Sequence, residues 1–133
     1  MGGVIKGEGY AVALSLDALG EGYGFRKVRK ELDVTAFGVN VITIPPGHET
    51  GRHFHDEQEE LYFVHRGAIE IAFGEDGAEA HRLDEGGAAR VDASTIRQVK
   101  NGSTSEDAVY LVVGGKDGYV GRDGRQPDGE TKR

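Results

Sequence analysis

At 133 residues, 37 % hydrophobic and 29 % charged, the chain has the size and balance of one folded domain. Its net charge of −7 argues against nucleic acid as a partner, because phosphates are repelled by such a surface, and its apolar runs are too short to span a bilayer. The absence of cysteine excludes a disulfide framework, thiolate metal ligands and a thiol nucleophile.

No basic stretch followed by an apolar run opens the chain, so a secretory signal is not expected and a cytoplasmic location is. Taken in order, residues 1–35 read as an N-terminal arm or strand that packs on the domain. Tyr10 to Leu16 alternates loosely, as an arm or a strand would. Gly20-Glu21-Gly22-Tyr23-Gly24 is a flexible loop, because no strand–helix context makes it a phosphate cradle. Phe25 to Asp33 is charged and mixed, with room for one helical turn, and its Lys27-Val28-Arg29-Lys30 patch reads as a solvated face.

From residue 36 a strand pattern sets in. Ala36 to Ile44 is an apolar run stopped by Pro45-Pro46-Gly47, since proline has no N–H to give to a ladder. Glu60 to Arg66 follows, ended by Gly67. Ile69, Ile71 and Phe73 alternate with Glu70 and Ala72, and Gly74 to Gly77 is a turn. Glu79 to Leu83, Ala88 to Val91, Ile96 to Lys100 and Ala108 to Val113 complete about eight strands, spaced as in a sandwich or closed barrel. The barrel is expected over 36–115 and a tail over 116–133, with the last ~10 residues poorly ordered unless a partner ties them down.

The chemistry is concentrated between Gly47 and Glu60. In a strand, residues two apart share a face, so His53 and His55 point together, and a turn at Asp56 to Gln58 brings Glu60 back beside them. Two imidazoles and a carboxylate form a facial set for a divalent transition metal: iron, manganese, nickel, copper or zinc. The spacing alone also suits two ordinary polar strand histidines. If Glu60 faces inward, so do Tyr62 and Val64, while Leu61, Phe63 and His65 face out. Exposed Leu61 and Phe63 then need a cover, either the arm or a second subunit. His48, His65 and His81 read as surface residues. No nucleophile elbow, phosphate loop or dinucleotide fingerprint is present.

The run Gly47-x5-His53-x-His55-x4-Glu60-x6-Gly67 resembles the first motif of the cupin superfamily, with every anchor in place. The second motif of that family, Gly-x5-Pro-x-Gly-x2-His-x3-Asn, is matched in frame by Gly86-x5-Asp92-x-Ser94-x2-Arg97-x3-Asn101, which keeps only Gly86 and Asn101. The resemblance implies an all-β fold, a double-stranded β-helix (jelly-roll) barrel with an N-terminal arm. It further implies a metal held by His53, His55 and Glu60, a small-molecule ligand, and a homodimer. The fourth metal ligand of the family, a histidine, is Arg97 here. A guanidinium cannot donate a lone pair to a metal. It can swing aside, pair with Glu60 in place of a metal, stand at the pocket rim as a fork for an anion, or be a solvated strand residue. Three functional readings follow. One is a metal-dependent enzyme of the dioxygenase or isomerase type, with Tyr62 and Arg97 as catalytic groups and Arg97 holding an anionic substrate group. Another is a metal-free binding or sensing barrel in which Arg97 neutralises Glu60. The third is a structural dimer with a vestigial pocket.

Overall fold

The computed structural model describes residues 3–127. A small hairpin, β1 (Ile5–Gly7) with β2 (Tyr10–Val12), and a 3-10 turn over Leu16–Leu19 precede the body of the fold. Next come β3 (Gly24–Arg26) and a single helical turn, α1 (Val28–Glu31), which packs on β4 (Gly38–Ile44). The strand β5 (Phe54–His55) is short, and β6 (Glu59–Arg66) is long. Then follow β7 (Ile69–Phe73), β8 (Glu79–Leu83), β9 (Ala88–Val91), β10 (Arg97–Lys100), β11 (Ala108–Gly115) and β12 (Gly124–Arg125).

One antiparallel sheet has the order β3-β4-β11-β6-β9. The other has the order β10-β7-β8, and its free side is continued by backbone bridges Glu49–Lys100 and His53–Arg97 and by β5 pairing with β12. This is the expected jelly-roll barrel. Between the sheets lie Tyr62, Val64 and Tyr110 from one and Ile69, Ile71 and Val99 from the other, all buried. Burial of these side chains is the main driving force for closing the two sheets.

The run from 36 to 44 becomes β4 and stops at Ile44, ahead of the two prolines. In β6 the predicted parity holds: Glu60, Tyr62 and Val64 are buried, and Leu61, Phe63 and His65 are exposed. Leu61 and Phe63 stay 44 % and 40 % exposed, so the described part of the arm does not cover them. β11 runs two residues further than Ala108 to Val113 because it is the central strand, paired with β4 on one side and β6 on the other. Gly114, which looks like a turn residue, sits in this ladder opposite Glu60. A Cβ there would strike the Gln58 side chain and come within 3.1 Å of the Glu60 Cγ. Gly67 ends β6 with φ +75°, where a side chain would be strained and its Cβ would lie 2.6 Å from the Asp107 carbonyl oxygen. Asn101 is buried and staples the far end, donating to the Ile44 and Glu106 carbonyls at 3.0 and 2.8 Å. Of the expected disordered tail, Gly124 and Arg125 pair with β5, and residues 128–133 lie outside the described residues.

Candidate metal centre

His53, His55 and Glu60 meet. One ligand atom from each lies within 4.8 Å of the other two, and all three residues are buried or nearly so. Local backbone geometry explains the convergence. His53 exchanges two backbone hydrogen bonds with Arg97, at 3.0 and 2.9 Å, so the chain is held extended at the barrel wall and the side chains of 53 and 55 turn inward. The turn after His55 returns the chain into β6, whose inward register delivers Glu60. His55 Nε2 lies 3.4 Å and His53 Nε2 4.0 Å from Glu60 Oε1, and the two imidazoles stand edge to face with centroids 5.2 Å apart.

The protonation pattern of His55 follows from its other nitrogen. Nδ1 lies 2.8 Å from Asp123 Oδ1. A carboxylate only accepts, so Nδ1 carries the proton and donates it to Asp123. Asp123 is kept ionised. Burial would raise its pKa, but hydrogen bonds from the Gln58 side chain at 2.5 Å, the backbone N–H groups of Gln58 and Glu57 at 2.9 and 2.8 Å, and His55 hold it well below the usual carboxylate range. In neutral His55 the lone pair is thereby left on Nε2, a buried atom with no hydrogen-bond partner that lies 3.4 Å from the Glu60 carboxylate; in the protonated ring that nitrogen carries a proton toward Glu60 instead. A lone pair facing an anion in a buried site calls for a cation between them, a proton or a metal ion. The donor set of two imidazoles and a carboxylate fits a divalent transition metal.

Glu60 is itself strongly ionised. Burial would raise its pKa, yet His55 and the Arg97 guanidinium bring it down to about 2. Its Oε1 accepts from Arg97 Nη2 and from the Tyr62 hydroxyl, both at 2.9 Å. Tyr62 is raised above its ordinary pKa, first by burial and then by the charge of Glu60, so its hydroxyl stays protonated and donates.

Arg97 is not a solvated strand residue. It is fully buried, and it neither swings aside nor reaches the rim. Its Nη1 donates to the carbonyls of Asp92, Ala93 and Thr95 at 3.3, 3.1 and 2.6 Å, its Nη2 to Glu60, and its Nε lies 3.5 Å from the Tyr62 oxygen. The arrangement realised is the pairing with Glu60. With its donors committed in this way, Arg97 has no fork left for a ligand anion.

His53, His55, Glu60 and Tyr62 line one wall of a cavity of about 680 Å³, within the usual range for small-molecule sites. His48 lies exposed at its mouth, and His65 and His81 are exposed elsewhere, as expected. Two features escape a reading of the sequence. Asp123 stands 68 residues from His55 in a glycine-rich, charged stretch with no motif around it. Lys27, Arg29 and Lys30, expected on a solvated face, line the cavity mouth with Arg122. The Lys27–Lys30 cluster was visible as charge, but its placement depends on how the segment between β3 and β4 folds back.

A family model described as a cupin domain matches residues 40–114. Among the solved structures, the protein TT1209 from Thermus thermophilus is 26 % identical, with a TM-score of 0.55 over 64 % of this chain and 75 % of that one. A sugar phosphate isomerase from a cupin superfamily, from Silicibacter pomeroyi, is 25 % identical, with a TM-score of 0.57 over 91 % of this chain and 67 % of that one. A putative sugar phosphate isomerase from Acidithiobacillus ferrooxidans shares the fold at 22 % identity, with a TM-score of 0.60 over 68 % of this chain and 56 % of that one. Among curated proteins none matches the chain.

Proposed function

The chain belongs to the cupin family, and from that premise we propose that it is a metal-dependent cupin that binds or transforms a small organic molecule. His53, His55 and Glu60 would hold a divalent transition metal: iron, manganese, nickel, copper or zinc. When bound, such a metal supplies Lewis acidity or a redox centre and leaves positions open for substrate or water. The observation that carries this reading is the unpartnered, buried Nε2 of His55, aimed at an ionised Glu60 while Asp123 holds the proton on the opposite nitrogen.

Around that centre the chain's own groups have separate tasks. Asp123 fixes the tautomer and plane of His55. Tyr62 lines the cavity and spends its one hydroxyl proton on Glu60, holding that carboxylate in place from the wall. Arg97 works from behind the wall, holding the Glu60 carboxylate in place and offsetting its charge; it is a positioning residue. The apolar inner face of the barrel shields the site from bulk water, which strengthens each of these electrostatic contacts. That solved structures with this fold include a named sugar phosphate isomerase supports a small-molecule substrate.

One observation favours a second reading. The 2.9 Å contact between Arg97 and Glu60 supplies the carboxylate with a cation without any metal, as a metal-free binding or sensing barrel would need. Elemental analysis of the purified protein after reconstitution separates the two. Stoichiometric transition metal is expected in the wild type, and His53→Ala is expected to lose it while keeping its β-sheet circular dichroism. Wild-type protein that takes up no metal, or a His53→Ala variant that retains it, contradicts the assignment.

The same reading pairs two copies through the exposed Leu61 and Phe63 on β6. Light scattering is expected to give a dimer that Leu61→Glu converts to monomer; a monomeric wild type removes this part of the proposal.

A further inference from the structure

We infer that the cavity mouth recognises an anionic group, carboxylate or phosphate, on the small molecule, through Lys27, Arg29, Lys30 and Arg122. The inference rests on the proposal that the cavity takes a small organic molecule, and it adds the chemical class of that molecule.

Several observations carry it. The chain has a net charge of −7, yet the ionisable groups lining this cavity include four lysines and arginines against two carboxylates. Of those two, Glu60 is already paired with Arg97, and Glu49 lies 3.9 Å from Lys100. Among the described residues, ion pairs engage Lys6, Arg82, Arg90, Lys100 and Arg125 with carboxylates, and none engages the four cations of the mouth. Four cations without a carboxylate partner among the described residues, gathered around one concavity, focus a positive potential there, which draws an anion in.

The cluster is also structured. Lys27, Arg29 and Lys30 come from the segment between β3 and β4, and Arg122 from the segment between β11 and β12. The two segments are joined where the Arg29 guanidinium lies 4.1 Å above the centre of the Tyr119 ring. That contact fixes where the Arg29 charge stands, above an aromatic ring that also lines the cavity. Phe25 and Tyr119, 51 % and 43 % exposed, add aromatic surface beside the charges, as an organic body attached to the anion would need. Arg97, the other cation of the site, is buried behind the wall with its donors taken, so recognition of the anion falls to the mouth.

Isothermal titration calorimetry with inorganic phosphate, succinate and glycerol tests this on wild-type protein and on the Lys27→Gln/Lys30→Gln double variant. Metal content is measured on the same samples. At least one of the two anions is expected to bind the wild type, glycerol is not, and binding weakens as potassium chloride is raised to about 0.3 M. The double variant is expected to bind that anion about tenfold more weakly, with its metal content unchanged. Binding of phosphate alone identifies a phosphate site, and of succinate alone a carboxylate site. Failure of both anions to bind the wild type, or equal affinity in the double variant, overturns the inference. Because metal content is read separately, protein without metal whose anion binding still depends on Lys27 and Lys30 would count against the metal centre and leave the mouth assignment standing.

Discussion

Asp123 decides which nitrogen of His55 can reach a metal. Its Oδ1 accepts from His55 Nδ1 and from the Gln58 side chain, and its Oδ2 from two backbone N–H groups, so both oxygens face donors. Asn in its place must turn an NH2 group toward one of these sets. If that group faces His55, it donates to Nδ1 and drives the proton to Nε2, the nitrogen a metal needs bare. Asp123→Asn should therefore weaken metal binding about 10–100-fold, the usual cost of disturbing a partner that orients a ligand. Competition titration with a metal-chelating dye reads the affinity, and imidazole 15N shifts read the tautomer. An unchanged affinity would mean that Asp123 merely holds the turn. None of this was legible in the sequence. His53, His55 and Glu60 announced themselves because two-residue alternation and one turn relate them; Asp123 is related to His55 only by the closure of the barrel.

At the scale of elements, β6 and β10 show where pattern reading succeeds and where it stops. The parity of β6 was legible because a strand has a period of two and one face must be buried. Only the resemblance to the second cupin motif brought position 97 to the site, and the structure sets it directly opposite His53 across a backbone bridge. What the motif could not decide was the fate of the guanidinium there. That depends on the turn at 92–95, whose three carbonyls converge on Nη1, and sequence spacing does not encode where carbonyls point. Arg97 thus ties the turn before β10 to Glu60 on β6, across the barrel. Arg97→Met should destabilise the metal-free protein by about 3–5 kcal/mol, the cost of leaving a buried carboxylate without its cation. Adding the divalent metal should restore part of the loss, because Glu60 regains a positive neighbour. Urea denaturation with and without metal checks both halves. A metal-free variant as stable as the wild type would show that Glu60 does not depend on Arg97. The short strands β3 and β12 were not anticipated, since two or three residues carry no periodicity to detect.

For the molecule as a whole, the barrel divides the labour between its wall and its mouth. The wall is built from the long strands β6 and β11, whose pairing fixes Glu60 and Tyr62 against a bare glycine backbone at Gly114. The mouth is lined by residues from the segments that flank the cupin match at residues 40–114, one bearing Lys27 to Lys30 and the other Arg122. A sandwich or closed barrel could be read from the spacing of turns and strands, and the jelly roll and the grouping of His53, His55 and Glu60 from one motif. The contribution of the flanking segments could not, because it arises only when both ends fold back over the same opening. The central claim is that three side chains, His53, His55 and Glu60, form one metal centre. Anomalous X-ray scattering from crystals grown with manganese and recorded on both sides of a metal absorption edge tests it most directly. The account predicts a single strong peak within bonding distance of both imidazoles and the Glu60 carboxylate, beside an Arg97 that still touches Glu60 or has withdrawn from it. No peak between those three side chains, with Arg97 and Glu60 paired as they are here, would contradict it.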